Sequence, residues 1–311
     1  MKKIIMDVDT GIDDALAMVY ALHSPELEVL GFTTCFGNNY IEETTTNTLK
    51  VLELLGKSHI PVAKGASEPL FRPNTKGASD VHGDDGLANV ELPNPKAKPI
   101  DEHAADFIVR MIHEHPHEVT LIPVGPLTNI ALAIMKDPSI VHKVKNVTMM
   151  GGAVLYPGNV TPTAEANILA DPEAAEFVFR SGIPITLVGL DVTMKTLLPR
   201  SYVKEWEKLD TPLSKFLTHI TNFYMDAYLN FYPSINGCAL HDPLAVAVVI
   251  DPTFVKTKPM YVQVDTEGEL SKGRTIPDLR PNHPKPNMNV CLEVEADRFL
   301  EHFVHRVIPK N

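Results

Sequence analysis

Cysteine is scarce in this chain: Cys35, Cys238 and Cys291 are the only three among 311 residues. Thiols so few and so far apart make neither a disulfide framework nor the paired spacing of a zinc site, and they fit a reducing compartment. Positive charge is short as well. Lys and Arg number 28 against 39 Asp and Glu, a formal net charge of −11. Phosphate binding is driven by Lys and Arg, so the charge argues against nucleic acid as the substrate; a neutral sugar or nucleoside remains open. Long apolar runs are missing too. Nothing approaches the roughly 18 consecutive apolar residues of a membrane span. The apolar stretch after Lys2 and Lys3 stops at Asp7, short of a signal-peptide core. The expected protein is cytoplasmic, with no membrane partner. Repeats, low-complexity tracts and linkers are also lacking, so residues 1–311 read as one domain, large enough to bury a sizeable core.

What is present is an alternation of short apolar runs with helically spaced ones. Strands are expected at 3–6, 29–35, 61–64, 119–123, 147–150 and 185–189, with helices at 13–23, 42–55, 103–115, 127–135 and 172–180 between them. That βαβ order predicts an α/β fold with a mostly parallel sheet and helices on both faces. Residues 66–100, rich in Pro, Gly and Asp, read as a long surface loop of the kind that is often functional. The last third is less regular, with helices at 212–231, from 243 onward and at 296–307, and an ill-defined stretch before the last.

The most informative segment is Asp7-Val8-Asp9-Thr10-Gly11-Ile12-Asp13-Asp14, which sets four carboxylates directly after the first strand. Two unit charges about 4 Å apart repel by about 4 kcal/mol at a surface-like dielectric. Such crowding persists when a cation neutralises it or a shifted pKa is put to use. Oxygen donors without thiols point to calcium or magnesium rather than zinc. The plainer reading is a solvated turn with Asp13 or Asp14 as a helix N-cap. In parallel α/β sheets ligands sit outside the carboxyl ends of the strands, which is where these acids fall.

Other strand ends carry similar punctuation, each with a plain alternative. Gly37-Asn38 suits a turn. His82, between Val81 and Gly83 in the long loop, suits either a mobile lid or an ordinary exposed histidine. Met149-Met150-Gly151-Gly152 lets backbone approach a ligand, or simply makes a tight turn. Val124 lies in a segment whose main-chain carbonyls are candidate calcium ligands. Glu165 and Asn167, in the polar stretch that begins near Asn159, point the same way if extended, and such a pair suits sugar hydroxyls. Asp171-Pro172-Glu173 reads as a helix cap alone. Asp242-Pro243 is also explained as a cap and first helical residue, but that leaves His241, a candidate proton donor beside an acid. Tyr224 and Tyr228, four apart, share a helix face and more often mean core packing than a ligand wall.

Taken in order, these segments resemble the inosine-uridine nucleoside hydrolase family. The resemblance runs through Asp7–Asp14, Gly37-Asn38, His82-Gly83, residues 124–129, residues 149–152, residues 165–167 and His241-Asp242-Pro243. It implies an open α/β fold with a Rossmann-like core, a calcium cofactor, a ribonucleoside substrate and a homodimer or homotetramer. It further implies Asp9, Asp14, Asp242 and the Val124 carbonyl as calcium ligands, Asp7 as a supporting acid, and Asp13 as the base that takes a proton from water. Asn38, Met150, Asn159, Glu165 and Asn167 fall at ribose-holding positions. His82 and His241 fall on the nucleobase side with Tyr224 and Tyr228, and His241 is the expected proton donor. Thr10, Asp84-Asp85 and Ala166 depart from the family pattern, and Ala166 leaves base preference open.

The implied activity is calcium-dependent hydrolysis of the N-glycosidic bond of purine or pyrimidine ribonucleosides. Two rivals share parts of the pattern. Asp7-Val8-Asp9 after a strand resembles the nucleophile motif of haloacid-dehalogenase-like phosphatases, although Gly11 stands where that motif has Thr or Val. A non-catalytic nucleoside- or sugar-binding protein would keep the ribose contacts but lose Asp13 or His241, and both are present.

Overall fold

The computed structural model of the chain describes residues 1–74 and 77–308. The N-terminal half follows the expected alternation: β1 (Lys2–Val8), α1 (Ile12–Leu22), β2 (Leu27–Thr34), α2 (Ile41–Leu54), β3 (Val62–Lys64), a short α3 (Ser79–His82) and α4 (Ala104–Glu114). It continues through β4 (Thr120–Pro123), α5 (Thr128–Lys136), β5 (Asn146–Met150), α6 (Ala166–Ala170), α7 (Pro172–Arg180) and β6 (Ile185–Val188). After these come α8 (Leu190–Thr193), β7 (Leu197–Pro199), α9 (Arg200–Glu207), α10 (Pro212–Phe231), β8 (Gly237–Ala239) and α11 (His241–Ile250). The chain then adds β9 (Val255–Met260), β10 (Val262–Val264), β11 (Thr275–Pro277), β12 (Met288–Val294) and α12 (Ala296–Val307).

Eight strands form the central sheet in the order β3-β2-β1-β4-β5-β6-β12-β9, parallel except for the antiparallel edge strand β9. Alternation along β1 explains the two cores. Ile4, Met6 and Val8 join one apolar cluster with α1, α11 and α12, whereas Ile5 joins the other with α4, α5 and α7. Helix α11 is buried along its whole length, as a helix apolar all round must be. The chain leaves β1 toward β2 on one side and later returns to β4 on the other. The crevice at the carboxyl end of β1 is therefore the topological switch point, the place where such sheets bind ligands.

Three expectations need correction. The stretch before α12 is not ill-defined: it supplies β12 and β9 to the main sheet and the β10–β11 hairpin. It hid because β9 reads Val-Lys-Thr-Lys-Pro-Met, with its four central residues exposed at a sheet edge and no apolar run to betray a strand. The segment between β6 and α10 also holds α8, β7 and α9, which are too short for periodicity to find. Last, α11 opens at His241, one residue after Leu240 at the cap position, so Asp242 is not an N-cap. Its carboxylate is left for other work.

Candidate active site

The acids are gathered by the strand end and by α1. Gly11 is the cap residue of α1, and Asp14 reaches back to accept from the amides of Asp9 at 3.1 Å and Gly11 at 2.9 Å. Its Oδ2 also accepts from Asn38 Nδ2 at 3.0 Å. Asp14 thus caps the turn from within the helix rather than from the cap position. Asp9 Oδ2 accepts the Asn38 amide at 2.8 Å, whereas its Oδ1 is buried without a protein partner. Glycine is needed at Gly125, where a Cβ would stand 2.7 Å from Asp9 Oδ1, and Gly37 crowds the other oxygen in the same way. The Gly37-Asn38 turn therefore also clamps Asp9.

One oxygen each of Asp13, Asp14 and Asp242 lies within 4.8 Å of the other two, and all three residues are buried. Above them opens a cavity of about 350 Å³. Asp13, Asn38, His82, Val124, Met150, Asn159, Glu165, Asn167, Tyr224, Tyr228, His241 and Asp242 line it, while Asp9 and Asp14 lie outside the lining. Asp7 is also outside it, fully buried, with Oδ1 accepting from Thr33 and Asn129 and Oδ2 unpartnered. A phosphatase nucleophile must face its substrate, so the phosphatase rival fails on this placement.

On the polar side of the cavity, Glu165 and Asn167 are not extended. Glu165 caps α6, accepting from the amides of Asn167, Ile168 and Gly152, and Asn167 lies in the first turn. They share the cavity because the helix start turns both inward. Asn167 Nδ2 donates to the Val124 carbonyl at 2.8 Å and the Met150 carbonyl at 3.2 Å, tying the ends of β4 and β5 together. Asn159 Oδ1 accepts the Ala166 amide at 3.1 Å.

The opposite side is aromatic. His82 is neither a lid tip nor exposed: it is buried, its Nδ1 accepts the Ile12 amide at 3.0 Å, and its ring stacks on Tyr224 with centroids 5.7 Å apart. Asn39 and Asn47 hold the following turn through the carbonyls of Asp84 and Asp85, and Asp85 caps that turn itself. The departure at Asp84-Asp85 is thus structural. Tyr224 and Tyr228 meet edge to face at 5.0 Å, and the Tyr224 hydroxyl reaches Asp13 Oδ2 at 3.5 Å. Both tyrosines are core residues and cavity wall at once. His241 has no free nitrogen: Nε2 pairs with the Tyr228 hydroxyl at 2.6 Å and Nδ1 with Thr193 Oγ1 at 2.8 Å.

Sequence reasoning missed Met194, Phe231, Tyr232 and Thr193. The first three line the cavity. Tyr232 continues the four-residue spacing of Tyr224 and Tyr228 and packs on Tyr228 at 5.7 Å, so that spacing was the available signal. Thr193 has no motif around it.

Burial dominates the electrostatics. It raises Asp13 to about 7, helped by the charge of Asp14, and raises Asp14 to about 6 against its hydrogen bonds. Asp7 rises to about 7 by burial. Burial, then neighbouring carboxylates, lifts Asp9 and Asp242 well above the ordinary range. The histidines move the other way: burial lowers His241 to about 4 and, with His241 nearby, His82 to about 3. Both rings are neutral at pH 7.

These shifts predict the pH response of cation-free protein. The acids hold protons more tightly folded than unfolded, so between about pH 4 and 7 the folded state carries more protons and stability falls as pH rises. The two histidines oppose this below about pH 6.5, but five raised acids outnumber them. After chelation, calorimetry should show Tm falling by roughly 5 °C or more from pH 5 to pH 8. A Tm that climbs over that interval would contradict the acid cluster as described.

An open, mostly parallel sheet with a carboxylate cluster at its switch point, under a half-polar, half-aromatic cavity, defines an α/β protein with an enzyme-like ligand site. The family model for inosine-uridine preferring nucleoside hydrolase matches residues 4–301, and the chain belongs to that family. It is similar to a purine-preferring ribonucleoside hydrolase from Gardnerella vaginalis, at 44% identity and TM-score 0.95 over 98% of each chain. Uridine nucleosidase 1 of Arabidopsis thaliana is 42% identical over 89% of this chain and 82% of its own. The inosine-uridine preferring nucleoside hydrolase of Leishmania major is 39% identical over 96% and 95%. The protein is a ribonucleoside hydrolase.

Proposed function

We propose that the protein hydrolyses the N-glycosidic bond of purine and pyrimidine ribonucleosides, such as inosine, uridine and cytidine, in a calcium-dependent reaction. One observation carries the reading: Asp13, Asp14 and Asp242 converge beneath a cavity with amide and carboxylate groups on one wall and His82, Tyr224, Tyr228 and His241 on the other. The donor set fits calcium, since it is all oxygen and includes the unpartnered, buried Asp9 Oδ1. Asp9, Asp14, Asp242 and the Val124 carbonyl would hold the ion. Calcium bound there supplies fixed positive charge for the ribose diol and the attacking water.

The remaining chemistry belongs to the chain. Asp14 is turned back on three donors, the amides of Asp9 and Gly11 and the Asn38 side chain, and lies outside the cavity lining, whereas Asp13 lies beside Asp242, makes a long contact with the Tyr224 hydroxyl and faces the cavity. Asp13 is therefore the group free to accept a proton from water. As the bond to the base breaks, positive charge develops on the ribose, and the carboxylate cluster stabilises it in a site sheltered from water. Asn38, Asn159, Glu165 and Asn167 hold the sugar, with Met150 beneath it. The departing base meets the Tyr228 hydroxyl, backed by His241. A reducing, cytoplasmic setting accords with the three buried free thiols, and a homo-oligomer is what the family resemblance implies. Among the described residues no helix is long and apolar enough to cross a membrane.

A panel of inosine, uridine and cytidine, their 2′-deoxy forms and uridine 5′-monophosphate tests this by release of free base. The ribonucleosides should be cleaved. Loss of the 2′-hydroxyl leaves a buried polar group unsatisfied, costing about 1–3 kcal/mol, or roughly 5- to 150-fold in kcat/KM. The acidic site should reject the 5′-phosphate. Comparable efficiency on uridine and its monophosphate would overturn the reading.

A further inference from the structure

Thr193 lies at the end of α8, far in sequence from every motif of the site, yet it is fully buried and its hydroxyl stands 2.8 Å from His241 Nδ1. The local fold holds the two residues in register. Strands β7 and β8 pair Leu197 with Ala239 and Leu198 with Cys238, and the Leu240 amide donates to the Thr196 carbonyl at 2.9 Å. Thr196 in turn donates its hydroxyl to the Thr193 carbonyl at 2.9 Å. The backbone just after Thr193 is thus joined to the backbone just before His241 by a small sheet, which brings those two side chains into contact.

Proton accounting gives the contact a direction. A neutral imidazole has one N–H and one bare nitrogen. If Nδ1 carried the hydrogen, Thr193 would accept it and its own hydroxyl hydrogen would have no acceptor among the described residues. A buried donor left unmade is costly. If Thr193 donates to Nδ1, Nε2 carries the ring hydrogen and donates to the Tyr228 oxygen at 2.6 Å, and the one hydroxyl hydrogen left over belongs to Tyr228, which lines the cavity, rather than to the enclosed Thr193. With the neighbouring Tyr224 hydroxyl also paired to the Tyr228 oxygen, the Tyr228 hydroxyl hydrogen is the one left to turn into the cavity that Tyr228 lines.

We propose that Thr193 is a positioning residue that holds His241 in the Nε2–H tautomer, so that the Tyr228 hydroxyl, rather than His241 itself, is the donor presented to the leaving base. The proposal rests on the N-glycosidase reading above. It accounts for a fully buried threonine hydroxyl whose one side-chain partner among the described residues is the site histidine.

The test compares Thr193→Val, which keeps shape and removes the donor, with Thr193→Ser, which keeps the donor. The substrates are inosine, whose base is a poor leaving group, and a nitrophenyl riboside, whose leaving group needs no proton. The expected result is a kcat on inosine about 10- to 100-fold lower for Thr193→Val, a part of the 10²–10⁴ a general acid supplies. KM should stay within about twofold, the nitrophenyl riboside should be cleaved at the wild-type rate, and Thr193→Ser should restore inosine turnover. Equal losses on both substrates, no loss on either, or failure of Thr193→Ser to rescue would each overturn the proposal. Nitrogen-15 NMR of the His241 ring in the wild-type protein gives a separate readout: an Nδ1–H signal would overturn the tautomer assignment whatever the activity. If the wild-type protein cleaved no ribonucleoside, the N-glycosidase reading would fail, and the NMR measurement would still decide the tautomer.

Discussion

Asp13→Asn should lower kcat on uridine by about 10² to 10⁴-fold, the usual cost of losing one general base. Asparagine nearly preserves shape and cannot accept the proton. It also removes a carboxylate that burial and Asp14 hold near a pKa of about 7. The variant should therefore fold at least as well as the wild type, keep its calcium and bind nucleoside with little change in KM. A fall in kcat without a matching rise in KM is the mark of an interaction made only in the transition state. Wild-type turnover in this variant, measured by free-base release, would reduce Asp13 to a structural acid beside Asp14.

Exhaustive chelation should abolish turnover, and added calcium should restore it. Loss of the ion leaves the acids facing one another in a dry pocket with nothing to fix the sugar or the water. A fall of about 10³-fold or more is expected when such preorganised charge is removed. Asp9→Ala and Asp242→Ala should lower both bound calcium and rate. Asp9 has one buried oxygen with no protein partner, and Asp242 lies in the first turn of α11 with its carboxylate among the acids. Elemental analysis alongside the assay is the check: full turnover by protein shown to be metal-free would end the idea.

The parallel half of the fold was legible because its strands are buried on both faces and read as apolar runs, as in Lys2–Val8. The edge strand Val255–Met260 was not legible, since exposed Lys256 and Lys258 mask its pattern. The acids at the end of β1 announced themselves by number alone. His82 did not, because nothing local tells a loop histidine that it will be buried against Tyr224 and bonded to the amide of Ile12. Glu165 was found for a partly mistaken reason: an extended segment was expected, and a helix start delivers the same two side chains. Thr193 was invisible, because its meaning lies entirely in the pairing of β7 with β8.

The position of β12 has a consequence for how the chain is made. Strand β6 pairs on its outer side with residues near the end of the sequence, Asn289 and Val290. During synthesis the first six strands emerge and associate while that side of β6 has no neighbour. An uncovered edge of a parallel sheet is an adhesive surface for other nascent chains. The first part of that interval also lacks Asp242, so the acids of β1 and α1 have no third partner until α11 is made. Chains interrupted before residue 242 therefore share two faults, an open flank and an incomplete charge cluster, and those interrupted between there and β12 keep the open flank alone.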